Sequence, residues 1–128
     1  MQIGDVISWE RTFTREDIDT FTSISGDAGT HHVEPDEQGR LMVQGLLTAT
    51  LPTKIGGDLN FIARELDFVF LRPVYAGDTI RCEVTLTELV AAERVTQLAC
   101  TWSCKNQHGK EVMTGRGYGI VRPPAQRA

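Results

Sequence analysis

Residues 41–55 carry Leu41, Met42, Val43, Leu46, Leu47, Ala49, Leu51 and Ile55 and leave almost no polar face. A helix that is apolar on nearly every side cannot lie on a surface and has to be enclosed by other elements. A chain of 128 residues has room for one such enclosure, so 1–128 reads as one domain. Pro52 lacks the N–H that would continue the helical ladder and predicts a bend, and Gly56-Gly57 predicts the stop.

The rest of the chain supplies the wrapping. In 61–72, Ile62, Leu66, Phe68 and Phe70 share one parity. After a turn at Ala76-Gly77-Asp78, Ile80, Cys82, Val84 and Leu86 alternate with Arg81, Glu83, Thr85 and Thr87, the pattern of a half-buried strand. Leu98, Cys100, Trp102 and Cys104 repeat that parity, and Asn106-Gln107-His108-Gly109 reads as a hairpin loop. A last strand runs from Val112 to Val121, with Gly115, Gly117 and Gly119 marking close approach of a neighbouring backbone or a bulge. Pro123-Pro124 ends the structured part and leaves 123–128 as a frayed tail. Upstream, 5–12 reads as a first strand and 15–24 as a short amphipathic helix. Thr14 is its N-cap with Asp17 three residues on, Ile18, Phe21 and Ile24 recur at helical spacing, and Gly26 is the left-handed terminator. The order of strand, short helix, loop, buried helix and about four antiparallel strands gives the α+β class, an antiparallel sheet wrapped around a long central helix.

The formal net charge is -4 with no Lys/Arg cluster, so no nucleic-acid surface is expected. No apolar run approaches the roughly 18–20 residues of a membrane helix, and no leader pattern opens the chain. Cys82, Cys100 and Cys104 are odd in number and sit inside apolar patterns. That suits reduced thiols and a cytoplasmic protein. Cys100, Cys104 and His108 have metal-like gaps, but the two cysteines share the core face of a strand with Leu98 and Trp102, so no metal is expected.

The stretch with chemical content is Ser25-Gly26-Asp27-Ala28-Gly29-Thr30-His31-His32-Val33-Glu34-Pro35, at the start of a polar loop over 27–40 without period. Asp27 and His32 are five residues apart. An imidazole near its ordinary pKa gives or takes a proton, and a carboxylate can orient it or share a water with it. The same residues also fit an Asx turn beside a solvated histidine. The second feature is Val43-Gln44-Gly45-Leu46, at the start of the apolar helix. A helix begins with free N–H groups that can stabilise negative charge, and Gly45 has no side chain to block a ligand. Gly45 equally fits tight helix-on-sheet packing.

Four segments resemble the MaoC-like family of (R)-specific enoyl-CoA hydratases and dehydratases. They are Ile3-Gly4-Asp5 with Phe13-Thr14-Arg15-Glu16-Asp17-Ile18; Phe21-Thr22-Ser23-Ile24-Ser25-Gly26-Asp27 with His32; Val43-Gln44-Gly45-Leu46-Leu47; and Phe70-Leu71-Arg72-Pro73-Val74 with Gly77-Asp78-Thr79-Ile80. The resemblance implies a hot-dog fold, normally a homodimer. It implies a lyase that reversibly adds water to a trans-2-enoyl thioester of coenzyme A or acyl carrier protein, giving an (R)-3-hydroxyacyl product without metal or redox cofactor. The family's catalytic pair falls on Asp27 and His32, and its thioester-binding N–H on Gly45. Gln44, His31 and Arg72 are further candidates for substrate contact. Where the family usually reads Asn-Pro-aliphatic before the catalytic histidine, this chain has Gly29, Thr30 and His31, and Gln44 stands where the family often has His. A hot-dog thioesterase and a non-catalytic acyl-thioester binding module are the alternatives, since one fold hosts many functions.

Overall fold

A computed structural model describes residues 1–122. The proline pair and tail expected at 123–128 lie outside the described residues. The elements are β1 (Val6–Thr12), α1 (Arg15–Ser25), α2 (Thr30–Val33), α3 (Gly45–Thr48), α4 (Thr50–Asp58), β2 (Phe61–Phe70), β3 (Thr79–Ala91), β4 (Thr96–Lys105) and β5 (Glu111–Val121). All strand pairs are antiparallel, in the order β1-β3-β4-β5-β2. The two strands that flank the helices in sequence therefore sit at opposite edges of the sheet. The chain crosses from one edge to the other through α3 and α4, and α4 packs on β1, β2 and β3.

Local chemistry explains α1. Thr14 Oγ1 accepts from Asp17 N at 3.1 Å, and Asp17 Oδ2 accepts from Thr14 N at 3.0 Å, a reciprocal cap. Partial burial pushes the Asp17 carboxyl up, but the Thr14 N–H and the Arg11 guanidinium outweigh it and hold it below the usual carboxylate value. Gly26 ends the helix at φ 76°. The helix buries less than its spacing predicts: Ile18 is fully buried, while Ile24 is 79% exposed.

The central helix starts later than the apolar run. Leu41 to Val43 are extended, because Met42 bridges Tyr75 and the Val43 N–H donates to the Val74 carbonyl at 2.7 Å. Leu41 and Val43 are buried from that segment, not from a helix. Pro52 has no N–H to offer the Thr48 carbonyl, and the helix breaks at Ala49, between α3 and α4. It then runs through Gly56-Gly57 to Asp58. Asn60, not a glycine, takes the left-handed conformation after it, at φ 57°. Nor is the helix enclosed all round, because Leu46 is 61% exposed.

The inward parity of β3 and β4 is as the alternation predicts: Ile80, Cys82, Val84, Leu86, Leu98, Cys100, Trp102 and Cys104 are all buried. In β2 the register shifts between Ala63 and Glu65, where Arg64 is the extra residue. Phe61 and Ala63 therefore share the inner face with Leu66 and Phe68. Ile62, expected inward, turns out and is 43% exposed. The β5 glycines lie under this strand. A Cβ on Gly115 would stand 2.1 Å from the Asp67 carbonyl oxygen, and one on Gly119 would stand 2.1 Å from that of Ile62. Between α4 and the inner sheet face is an apolar cavity of about 220 Å³, lined in part by Gly56, Gly57, Phe61, Phe68, Cys100 and Trp102. Among the described residues, no helix is long and apolar enough to cross a membrane.

Candidate functional site

The site is built on the segment after α1. The Asp27 N–H donates to Ser25 Oγ at 3.0 Å, and Asp27 Oδ1 accepts from Gly29 N at 3.3 Å, so the Asx turn that the sequence allows is present. It leads into α2, a single helical turn inside the stretch that reads as an unpatterned loop. That turn directs the two histidines differently. His32 is 5% exposed, whereas His31 is exposed.

His32 Nδ1 lies 2.7 Å from the Met42 carbonyl oxygen. A carbonyl can only accept, so Nδ1 carries the proton. In the neutral ring the lone pair is then on Nε2, which lies 3.5 Å from Asp27 Oδ2. That separation exceeds a direct hydrogen bond but lets one oxygen atom touch both groups. The Asp27 side chain is half exposed, so solvent reaches the pair from its side. The structure thus brings together the two residues that spacing alone only suggests.

His32 opens onto a groove of about 350 Å³ lined by residues that include His31, Gly45, Thr48, Phe70 and Arg72. Gly45 is the first residue of α3, and its N–H has no intrahelical partner. A Cβ there would lie 2.9 Å from Phe70 Cε1, so the glycine also lets the Phe70 ring pack against the helix start. Both readings of Gly45 therefore have a physical basis.

Gln44 is a correction. It does not line the groove; it is 1% exposed and turns toward α1, where Nε2 donates to Thr22 Oγ1 at 2.8 Å and to the Ile18 carbonyl at 3.3 Å. The N-cap position faces inward because the chain reaches it along the extended, buried Leu41–Val43 segment. Arg72 reaches the groove edge, where its guanidinium donates to the Glu111 carbonyl at 2.6 Å. Lys54 on α4 is tied to Asp58 and lies over the Trp9 ring. Two contributors have no sequence signal: the Met42 carbonyl, a backbone atom that any residue provides, and Phe70, which reads simply as a core strand residue.

No protein-family model matches the chain. Over 97% of its length it is 27% identical to the 3-hydroxybutyryl-CoA dehydratase of Methylorubrum extorquens, covering 82% of that protein. Among solved structures, it superposes on a monoamine oxidase regulatory protein from Archaeoglobus fulgius with a TM-score of 0.81 at 27% identity, covering 98% of this chain and 93% of the other. An (R)-hydratase from A. caviae involved in PHA biosynthesis gives 0.82 at 24% identity, with 96% and 98% covered. A MaoC-like dehydratase from Rhodospirillum rubrum gives 0.77 at 17%, with 98% and 96% covered. A five-stranded antiparallel sheet around a central helix, shared nearly end to end with these proteins, gives this chain the hot-dog fold that they share, and its sequence is similar to that of a 3-hydroxybutyryl-CoA dehydratase.

Proposed function

We propose that the chain is a hydratase that reversibly adds water to a trans-2-enoyl thioester of coenzyme A or acyl carrier protein, giving the (R)-3-hydroxyacyl thioester. The observation that carries this reading is the 3.5 Å approach of His32 Nε2 to Asp27 Oδ2, in a ring that opens onto the same groove as the start of the central helix. Water held by both groups loses a proton as its oxygen bonds to C3, and a proton is delivered to C2. The thioester oxygen gains negative charge during this step, and the Gly45 N–H is the donor that meets it. In the reverse direction the same groups remove the C2 proton and expel the hydroxyl. A 27% identical relative that is a 3-hydroxybutyryl-CoA dehydratase supports this chemistry.

The apolar cavity under α4 suits the acyl tail. Thr48 lines the groove and Pro52, one helical turn on, lines the cavity. Phe70 and Phe68 do the same from β2, with ring centroids 6.2 Å apart. Arg72 stands at the groove for the polar end of the thioester. The three buried free thiols suit a reducing compartment such as the cytoplasm.

A panel of 2-enoyl-CoA chain lengths, followed at once for enoyl absorbance and for free thiol, tests the reading. Loss of absorbance without thiol is expected. Thiol release at the rate of substrate loss identifies a thioesterase instead, and binding with neither reaction identifies a binding module.

The active unit is a homodimer in this reading. β2 is an edge strand whose flank exposes Ile62, Val69, Phe70 and Leu71, and an unpaired apolar edge invites a second copy. Light scattering at micromolar concentration should give twice the chain mass; a monomer would refute this.

A further inference from the structure

We propose that His31 is a positioning residue, whose ring holds the His32 imidazole in the orientation that aims Nε2 at Asp27. The inference rests on the Asp27–His32 reading above. Consecutive residues on a helical turn point about 100° apart and do not normally face each other. Here the two rings nevertheless meet, with centroids 3.9 Å apart and planes tilted by 56°. The backbone of Met42 contacts both residues. Its N–H donates to the His31 carbonyl at 3.0 Å, while its carbonyl accepts from His32 Nδ1 at 2.7 Å. Both histidines are thereby tied to one residue of the segment that leads into the central helix.

The hydrogen bond at Nδ1 restrains rotation of the His32 ring about Cβ–Cγ through one contact. The His31 ring, packed against it, is a second contact that opposes the same rotation. Gly29 makes the room. Its φ of -52° is open to any residue, so the glycine is not there for backbone freedom. A Cβ at 29 would lie 3.0 Å from His31 Cε1 and 3.5 Å from Asp27 Oδ1. The missing side chain leaves the space that the His31 ring occupies beside the Asp27 carboxylate. Gly29 and His31, two departures from the usual family pattern, thus form one device: a small residue at 29 admits a ring at 31, and that ring braces the one at 32.

The test compares His31→Ala with His31→Phe, read by turnover on an enoyl-CoA and by proton NMR of the His32 Nδ1–H, assigned by its loss in His32→Ala. In His31→Ala, kcat should fall about tenfold with KM nearly unchanged, as expected for a misplaced catalytic group. The Nδ1–H should exchange with water about tenfold faster as its ring loosens. His31→Phe, which keeps a ring but no ionisable group, should restore both. Unchanged exchange and kcat in His31→Ala overturn the proposal. So does a rise in KM alone, which would make His31 a substrate contact. If exchange responds as expected but His32→Ala retains parental turnover, the bracing stands and the catalytic reading of the pair falls.

Discussion

Asp27→Asn and His32→Ala should each lower enoyl-CoA hydration by at least about a hundredfold, the scale of positioned acid–base help. The two substitutions remove different things. Asn keeps the size of Asp and can still accept the Gly29 N–H through its side-chain oxygen, so the Asx turn survives. What it loses is the negative charge beside His32 Nε2. His32→Ala removes the lone pair itself and leaves the Met42 carbonyl without its donor. Asp27→Asn should therefore unfold at nearly the parental denaturant midpoint, while His32→Ala is also somewhat destabilised by the part-buried carbonyl that loses its donor. Because the two groups serve one water, the double variant should be scarcely slower than either single one. Parental turnover in both single variants would remove the assigned pair from the mechanism, whatever the fold.

Gly115→Val should cost about 3 kcal/mol or more, or prevent folding, and so exceed ordinary overpacking. The Cβ alone would stand 2.1 Å from the Asp67 carbonyl oxygen and 2.6 Å from Trp102 Nε1. No rotamer relieves that contact, because it involves the first side-chain atom and a backbone oxygen of the adjacent strand. β2 has to move off β5 and Trp102 has to shift from its place against Phe68, and both partly line the cavity. Gly57→Ala is the control. Its Cβ meets nothing within 4 Å, and alanine is the better helix former. The control should match or slightly exceed parental stability in urea. A Gly115→Val protein with the parental midpoint would show that the two strands are not packed this closely.

The sheet that these glycines join was legible only in part. The alternation over 80–87 and 98–104 names an inner face that burial bears out residue by residue. In β2 the same alternation misplaces Ile62, because the bulge at Arg64 is set by how β2 registers on β5. The central helix is similar. Its apolar composition predicts enclosure correctly in the main, but its first three residues are extended by bonds to the Val74–Tyr75 region. Composition reports that a segment is buried; it does not report in which backbone state.

By itself the sequence determined what is completed within one turn of chain: the Thr14–Asp17 cap, the Gly26 stop and the Asx turn at Asp27. Those contacts join residues a few positions apart, so spacing and side-chain type suffice to specify them. Only the tertiary structure decided which His32 nitrogen faces Asp27, that Gln44 turns inward, and that Gly45 and Phe70 share a groove with the histidines. Each of these depends on a partner brought from elsewhere in the chain, often a backbone atom that every residue carries, and such a partner leaves no local pattern to read.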